Sequence, residues 1–117
     1  MAKNTFEDAA RGLTVAYVID ATRVVLNRGH EDGIKFGERF IVYSISRDEI
    51  RDPITKESLG RLELVKGIGK IVSVQPKISI LESDEYASRL FAIPFGEPAK
   101  KPFDDPHVGD LVRKINP

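Results

Sequence analysis

Short runs in which apolar and polar residues alternate are the feature that most restricts how this sequence can fold. From residue 13 onward, apolar side chains recur at every second position, which is the spacing of a β-strand with one buried face. In the first run the apolar positions are Leu13, Val15, Tyr17 and Ile19. The pattern predicts that β-structure dominates the chain.

Turn-forming residues separate these runs, as they do between strands of a sheet. We expect strands at residues 13–19, 23–27, 38–46, 77–82 and 107–115, and either one long strand or two over residues 59–65 and 68–74. The run at 38–46 is apolar on both faces and is therefore expected at the centre of the sheet. A length of 117 residues fits one domain. The sequence thus predicts an all-β fold, a small closed or partly open β-barrel of six to seven strands over residues 13–116.

Three segments depart from the alternation. Residues 1–12 fit a short N-terminal helix, with Thr5 as its N-cap and Gly12 as its stop. Residues 83–92 are compatible with either a helix or a strand. Residues 94–107 contain four prolines, a composition that resists a strand ladder. We expect this last segment to be an exposed, mobile loop that contributes nothing to the core.

Glycines mark the turns and bends of the predicted sheet. The structural positions are Gly29, Gly33, Gly37, Gly67, Gly69 and Gly109. The first three are expected to hold turn or positive-φ geometry. Gly67 and Gly69 predict a bulge or a sharp bend, since Leu64 and Ile71 replace the glycine and hydroxyl that a phosphate loop requires. The segments 36–40 and 108–112 share one pattern, apolar, Gly, acid, any residue, apolar, and both are expected to lead from a turn into a strand.

The sequence contains few residues or motifs that are suited to catalysis or metal binding. The chain has no cysteine, so disulfides, thiolate zinc sites and cysteine nucleophiles are excluded. It contains no Gly-x-Ser-x-Gly motif. Two clusters contain histidine, His30-Glu31-Asp32 and Asp104-Asp105-Pro-His107, but neither has a recognised ligand spacing, and we interpret both as solvated turns. We therefore expect no catalytic residues, no cofactor and no metal, and a protein that is not an enzyme.

The two longest polar loops, residues 48–56 and 95–107, are the best candidates for contact with a protein partner, because functional contacts gather on loops held by a rigid scaffold. Their candidate residues are Asp48, Arg51, Asp52, Lys56, Lys100, Lys101, Asp104 and Asp105. The strand at 77–82 is a further candidate, as an exposed edge that could pair between copies. Oligomeric state stays open at this level.

The alternative function is binding of nucleic acid by a face like that of an oligonucleotide-binding barrel. The residues that could form such a face are Arg39, Tyr43, Arg47, Lys66 and Lys70. Lys plus Arg equals Asp plus Glu at 18 each, so no overall positive charge supports this alternative.

The N-terminal residues and the lengths of the apolar runs suggest a cellular compartment. Acidic residues precede the first apolar run, where a secretory signal would place a basic segment. No apolar run approaches the roughly 18 residues of a membrane-spanning helix. We expect the chain as given to be cytoplasmic and not inserted in a membrane, or periplasmic if an export signal was removed.

Several motifs resemble those of a known bacterial family. They are Asn27-Arg-Gly29, Asp32-Gly33-Ile-Lys-Phe-Gly37-Glu38, Asp52-Pro53-Ile-Thr55-Lys-Glu57, Gly69-Lys-Ile71-Val-Ser-Val74 and Val108-Gly109-Asp110-Leu-Val112. With the intervening residues from Val18 to Ser83, they resemble the C-terminal β-barrel domain of the flagellar assembly protein T family. The same glycine spacing occurs in other envelope barrels, such as the MreC family of cell-shape proteins.

The resemblance implies a barrel without catalytic residues that acts as a docking module in a large envelope assembly. The matching residues would serve turn geometry. One position departs from the pattern, because Lys56 stands where a glycine would suit the Thr-x-Glu turn.

Overall fold

A computed structural model of the protein describes residues 12–86 and 100–115. Its strands are β1 (Val15–Asp20), β2 (Arg23–Leu26), β3 (Arg39–Arg51), β4 (Ser58–Val74), β5 (Ser79–Ser83) and β6 (Leu111–Lys114), with a single 3₁₀ turn at His30–Asp32. The strands form one antiparallel sheet in the order β1-β2-β5-β4-β3-β6. The prediction of an all-β fold is confirmed. The N-terminal helix predicted at 1–12 and residues 87–92 of the ambiguous segment lie outside the described residues.

The two edge strands approach each other without closing the sheet. Thr14 and Leu111 form an isolated bridge, and the Val112 N–H donates to the Leu13 carbonyl at 3.0 Å. Only the start of β6 takes part, and no continuous ladder joins β6 to β1 along the described strands. Of the two predicted forms, the structure has the open one.

β3 is longer than predicted, β6 is shorter, and one strand lies at a different position in the sheet. β3 continues to Arg51, because it pairs with β4 through a segment whose charged composition suggested only a turn. β6 is limited to Leu111–Lys114, and of the two alternatives for residues 59–74 the structure has the single strand, β4, of 17 residues. The predicted edge strand at 77–82 is wrong in its position. The observed β5 lies inside the sheet, paired with β2 on one side and β4 on the other, so it offers no free edge.

The core consists of residues that alternate along these strands. Val24, Leu81 and Ile71 form a row across three adjacent strands, and each is fully buried. The complete buried set is Val15, Val24, Leu26, Ile34, Phe40, Val42, Ile71, Leu81, Phe103 and Val112. Because burying one such side chain stabilises the fold by about 1.5–3 kcal/mol, this cluster supplies the main driving force for folding.

The two similar segments before β3 and β6 have the same geometry at their glycines. Gly37 and Gly109 have φ values of 85° and 95°. The strands that follow pair with each other, with Val42 opposite Val112. Lys114 on β6 also contacts Glu38 at 2.6 Å, and this hydrogen bond holds the pKa of the Glu38 carboxyl below its usual value.

Phe103 packs against a glycine on β4. Gly67 lies opposite Val42 on the core side of the sheet and has a φ of 151°. A Cβ atom at Gly67 would lie 2.7 Å from Cδ1 of Phe103, so only glycine leaves room for the ring. The Phe103 side chain is 3% exposed, and its N–H donates to the carbonyl of Ala21 at 2.8 Å.

The expectation that residues 94–107 contribute nothing to the core is therefore wrong at Phe103. An aromatic ring among prolines finds its space inside the sheet because Gly67 leaves the facing position empty. Residues 94–99 lie outside the described part of the chain, and the mobility of the loop stays a prediction.

We expect Phe103→Ala to lower the free energy of unfolding by about 4 kcal/mol, since it removes a buried aromatic side chain from a position that cannot collapse. Phe36→Ala is the matched control, because Phe36 is 75% exposed, and it should change stability by less than about 0.5 kcal/mol. Urea unfolding of the full chain measures both. Equal effects of the two substitutions would contradict the burial of Phe103.

Candidate functional site

The hairpin formed by β3 and β4 extends beyond the rest of the sheet. β6 pairs with β3 only as far as Tyr43, and β5 pairs with β4 only from Gly69 onward. Past those points, within the described residues, the two strands pair only with each other. We call residues 44–65, the outer parts of β3 and β4 with their connecting turn, the arm.

The arm carries a concentration of exposed apolar side chains. Seven of the thirteen large hydrophobic residues that are exposed in the described part of the chain belong to it: Ile45, Ile50, Ile54, Leu59, Leu62, Leu64 and Val65. Ile54, at the tip, is 89% exposed. Clustered exposure of this kind marks surfaces that contact other molecules. The arm is therefore the candidate functional site.

The turn at the tip of the arm is held by its own hydrogen bonds. Asp52 Oδ1 accepts from the N–H groups of Ile54 and Thr55, at 2.7 and 3.2 Å. The Lys56 N–H donates to the Asp52 carbonyl, and the Asp52 N–H donates to the Glu57 carbonyl, both at 2.9 Å. An aspartate that bonds to backbone two residues ahead stabilises a turn. The network gives Ile54 a defined position although the side chain contacts mainly solvent.

A bulge on β3 interrupts the middle of the arm. The pairing passes from Ile45 opposite Glu63 to Glu49 opposite Arg61, so β3 has extra residues at Arg47 and Asp48. The Arg61 guanidinium donates to the carbonyls of Ser46 and Arg47. Ser46 Oγ accepts the Leu62 N–H at 3.0 Å. These bonds replace ladder bonds that the bulge removes.

One face of the arm is joined to β6 at its base. The Arg113 guanidinium lies 4.6 Å from the centre of the Tyr43 ring and forms an ion pair with Glu63. The Glu63 carboxylate raises the pKa of Arg113. Since Arg113 contacts both strands of the hairpin, it restrains the direction in which the arm leaves the sheet.

A second ion pair fixes the base of the arm from inside. Lys66 Nζ donates to both carboxylate oxygens of Asp110, at 2.9 and 3.0 Å, and to the Asp105 carbonyl at 2.8 Å. Asp110 also accepts the His107 N–H at 2.7 Å and is only 6% exposed. The Lys66 carbonyl in turn accepts the Asp104 N–H at 2.7 Å. The segment before β6 is thus bound to β4 at one residue.

The predicted partner-contact residues fall into separate places. Four of them, Asp48, Arg51, Asp52 and Lys56, lie on the outer part of the arm. Arg51 is engaged there by Glu49 at 2.9 Å. Asp104 and Asp105 lie at the base of the arm, beside Lys66, while Lys101 is exposed and Lys100 pairs with Glu82 at 2.7 Å.

Sequence reasoning missed the apolar part of this site. Leu59, Leu62 and Leu64 were assigned to a strand, but nothing in their spacing distinguishes a strand whose apolar residues face a core from one that projects into solvent. The available signal was the charged segment at 47–57, which is too long for a simple turn and too polar for a buried strand.

Three of the five residues proposed for a nucleic-acid face are engaged within the chain. Arg39 forms an ion pair with Asp84 at 2.6 Å, which raises the pKa of the Arg39 guanidinium. Lys66 is bound by Asp110, and Tyr43 is covered by Arg113. Arg47 and Lys70 are exposed.

The two histidine-containing clusters lie in turns, as their sequences suggested. His30 begins the 3₁₀ turn, and His107 Nδ1 lies 2.9 Å from the Asp105 carbonyl. Within residues 12–86 and 100–115, no group of three or more His, Cys, Asp or Glu side chains is arranged to hold a metal ion.

Comparisons with known proteins do not place the chain in a family. No protein-family model matches it, and neither the curated proteins nor the solved structures compared with it give a significant match. In the described part of the chain, no helix has the length and apolar character needed to cross a membrane.

We expect Asp110→Asn to lower the free energy of unfolding by about 3 kcal/mol, because it leaves the Lys66 ammonium largely buried without its countercharge. Asp104→Asn, at an exposed carboxylate in the same loop, should change stability by less than about 0.5 kcal/mol. Urea unfolding at neutral pH measures both variants. A loss below 1 kcal/mol for Asp110→Asn, of the order found for exposed ion pairs, would contradict a structural role for this pair.

The tip offers a substitution expected to stabilise the arm. Lys56 has a φ of 64°, a conformation that costs a residue with a Cβ roughly 1 kcal/mol relative to glycine. We expect Lys56→Gly to raise the free energy of unfolding by about 0.5 kcal/mol after the greater freedom of glycine in the unfolded chain is subtracted. Glu57→Gly, at a residue without positive φ, should lower it. Thermal unfolding measures the stability of both variants, and a loss of stability in Lys56→Gly would contradict the turn geometry.

Proposed function

We propose that the protein is a non-enzymatic module for protein–protein docking in a larger assembly, and that the arm carries the contact. The observation behind the proposal is the placement of exposed apolar side chains on an ordered hairpin that projects from the sheet. Ile54, Leu59 and Leu62 are each more than half exposed. Burial of one such side chain by a partner would contribute about 1.5–3 kcal/mol.

The order of the arm favours docking, since groups that are already fixed lose little entropy on binding. The Asp52 turn fixes the tip, and Arg113 and Lys66 fix the base. A partner that closed on Ile54 would not have to order the hairpin first.

The charges of the arm favour a protein over a nucleic acid. Its cations are Arg47, Arg51, Lys56 and Arg61, and its carboxylates are Asp48, Glu49, Asp52, Glu57 and Glu63. The two signs nearly balance and are interspersed, as at the rim of a protein interface, whereas a phosphate backbone requires a surplus of cations. Binding of nucleic acid is the alternative function, and it would have to rely on Arg47 and Lys70.

The setting of the docking module is part of the same proposal. The motifs that resemble those of the flagellar assembly protein T family support a bacterial envelope or flagellar assembly as this setting. In that setting the barrel would serve as a scaffold and the arm as its contact surface.

The test compares capture by three versions of the full chain in the native cell, with cross-linking and mass spectrometry. Ile54→Asp places a charge at the most exposed apolar side chain of the arm and should reduce recovery of the partner at least about tenfold, the effect of losing 1.4 kcal/mol. Phe36→Asp is the matched control. Phe36 is also exposed, but it precedes β3, whose 13 residues separate it from the tip by about 40 Å.

Recovery that is equal for the wild type and Ile54→Asp would contradict the docking proposal, and so would a loss that is the same for Phe36→Asp. A salt-sensitive shift of the wild type with a single-stranded oligonucleotide, weakened by removal of Arg47 and Lys70, would favour the alternative.

A further inference from the structure

The arm has a free strand edge. Among the residues that the structure describes, none pairs with β4 between Ser58 and Val65 on the side away from β3. The Leu62 N–H points toward β3, since it donates to Ser46 Oγ. Because backbone groups alternate in direction along a strand, those of Arg61 and Glu63 point outward. An edge of this kind is a template for pairing with another strand.

β4 is better suited to such pairing than β3. The extra residues of the bulge, Arg47 and Asp48, belong to β3, and bulges disrupt the regular spacing that a second strand would need. β4 contributes no extra residue between Gly60 and Leu64. Its outer edge is therefore regular from Arg61 to Val65. It is interrupted on one side by Gly60, with a φ of 97°, and by an extra β4 residue at Leu59, and on the other side by an extra β4 residue at Lys66.

The sequence of this edge is complementary to itself when read in the opposite direction. With Leu62 placed opposite Leu62 of a second copy, Arg61 lies opposite Glu63 and Gly60 opposite Leu64. The outward-pointing residues Arg61 and Glu63 then form the hydrogen-bonded pair, as the direction of the Leu62 N–H requires. Opposite charges directly across an antiparallel ladder stabilise it, and a two-fold axis produces this pair twice.

The same register pairs exposed apolar side chains. Leu62 is 53% exposed, and the two Leu62 side chains would meet on one face of the joined sheet. The register ends where Gly60 lies opposite Leu64, because β4 has an extra residue at Leu59.

We propose that the chain forms a two-fold symmetric dimer through antiparallel pairing of the outer edges of β4, in the register centred on Leu62. The inference goes beyond the docking proposal and does not depend on it, since Ile54 and the rest of the tip at residues 52–57 lie outside the paired segment and stay exposed. In the dimer Leu62 contacts the second copy, so the docking contact would be carried by the tip. The dimer would place the tip of each arm beside the base of the other.

The register is tested by exchanging its charges. Sedimentation velocity of the full chain, up to about 1 mM so that weak association is populated, should show a concentration-dependent dimer. R61E and E63R each turn both cross-strand pairs from attraction to repulsion, and each should raise the dissociation constant about tenfold or more. The double substitution R61E/E63R restores opposite charges and should return the constant to within about threefold of the wild type.

Mixing the two single variants provides the control for folding, for the Arg113 contact of Glu63 and for the bonds of Arg61 to the Ser46 and Arg47 carbonyls. The R61E chain carries two carboxylates and the E63R chain two cations at positions 61 and 63, so an equimolar mixture should form heterodimers although each variant alone is largely monomeric. Circular dichroism should be the same for all versions.

Three results would overturn the proposal: a wild type that stays monomeric throughout the concentration range, a dimer whose stability is unchanged by R61E and by E63R, or variants that dissociate but form no heterodimer when mixed. Because these experiments contain no other protein, their failure leaves the capture experiment with Ile54→Asp as a separate result.

Discussion

The arrangement of the sheet and the arm depends on the β-bulge of β4 at Lys66 and Gly67. The pairing with β3 shifts there, from Gly67 opposite Val42 to Val65 opposite Tyr43. The positive φ and missing side chain of Gly67 admit the ring of Phe103, and the bulged Lys66 reaches Asp110 and receives the Asp104 N–H. Two adjacent residues thus bind the segment 103–110 to the sheet at one level of the hairpin.

The arm begins where these contacts stop. A two-stranded hairpin is marginally stable in water on its own, so this one depends on its attachments at both ends. Arg113 and Lys66 act at the base and the Asp52 turn acts at the tip, while the middle has exposed leucines and an edge that pairs with no other strand among residues 12–86 and 100–115. The docking proposal and the dimer proposal rest on this apolar surface and on these backbone groups.

The sequence predicted the fold class because alternation is a local property. The turns at Gly33, Gly37 and Gly109 followed from their spacing, and the structure shows positive φ at each of the three. Gly29 differs: its φ is −134°, and glycine is required there because a Cβ would lie 2.0 Å from the Gln75 carbonyl oxygen. The sequence could not distinguish steric contact of this kind from a turn conformation.

The features that the sequence did not predict depend on contacts between residues that are far apart in the chain. Phe103 is buried because of a glycine 36 positions earlier, and residues 47–51 extend as a strand because β4 pairs with them. The candidate site shows the same limit. Its charged residues were identified from the polar loop, whereas Leu59 and Leu62 have strand periodicity whether or not a core lies beneath them. Exposure is a property of the assembled sheet.

Nuclear magnetic resonance of the full chain measures whether the arm is ordered and continues from the sheet. We expect cross-strand nuclear Overhauser contacts between Ile45 and Glu63 and between Glu49 and Arg61, with strand chemical shifts through residues 44–51 and 58–65. Random-coil shifts and no cross-strand contacts in those segments, in a sample whose Val24, Leu81 and Ile71 signals show a folded core, would contradict an ordered arm.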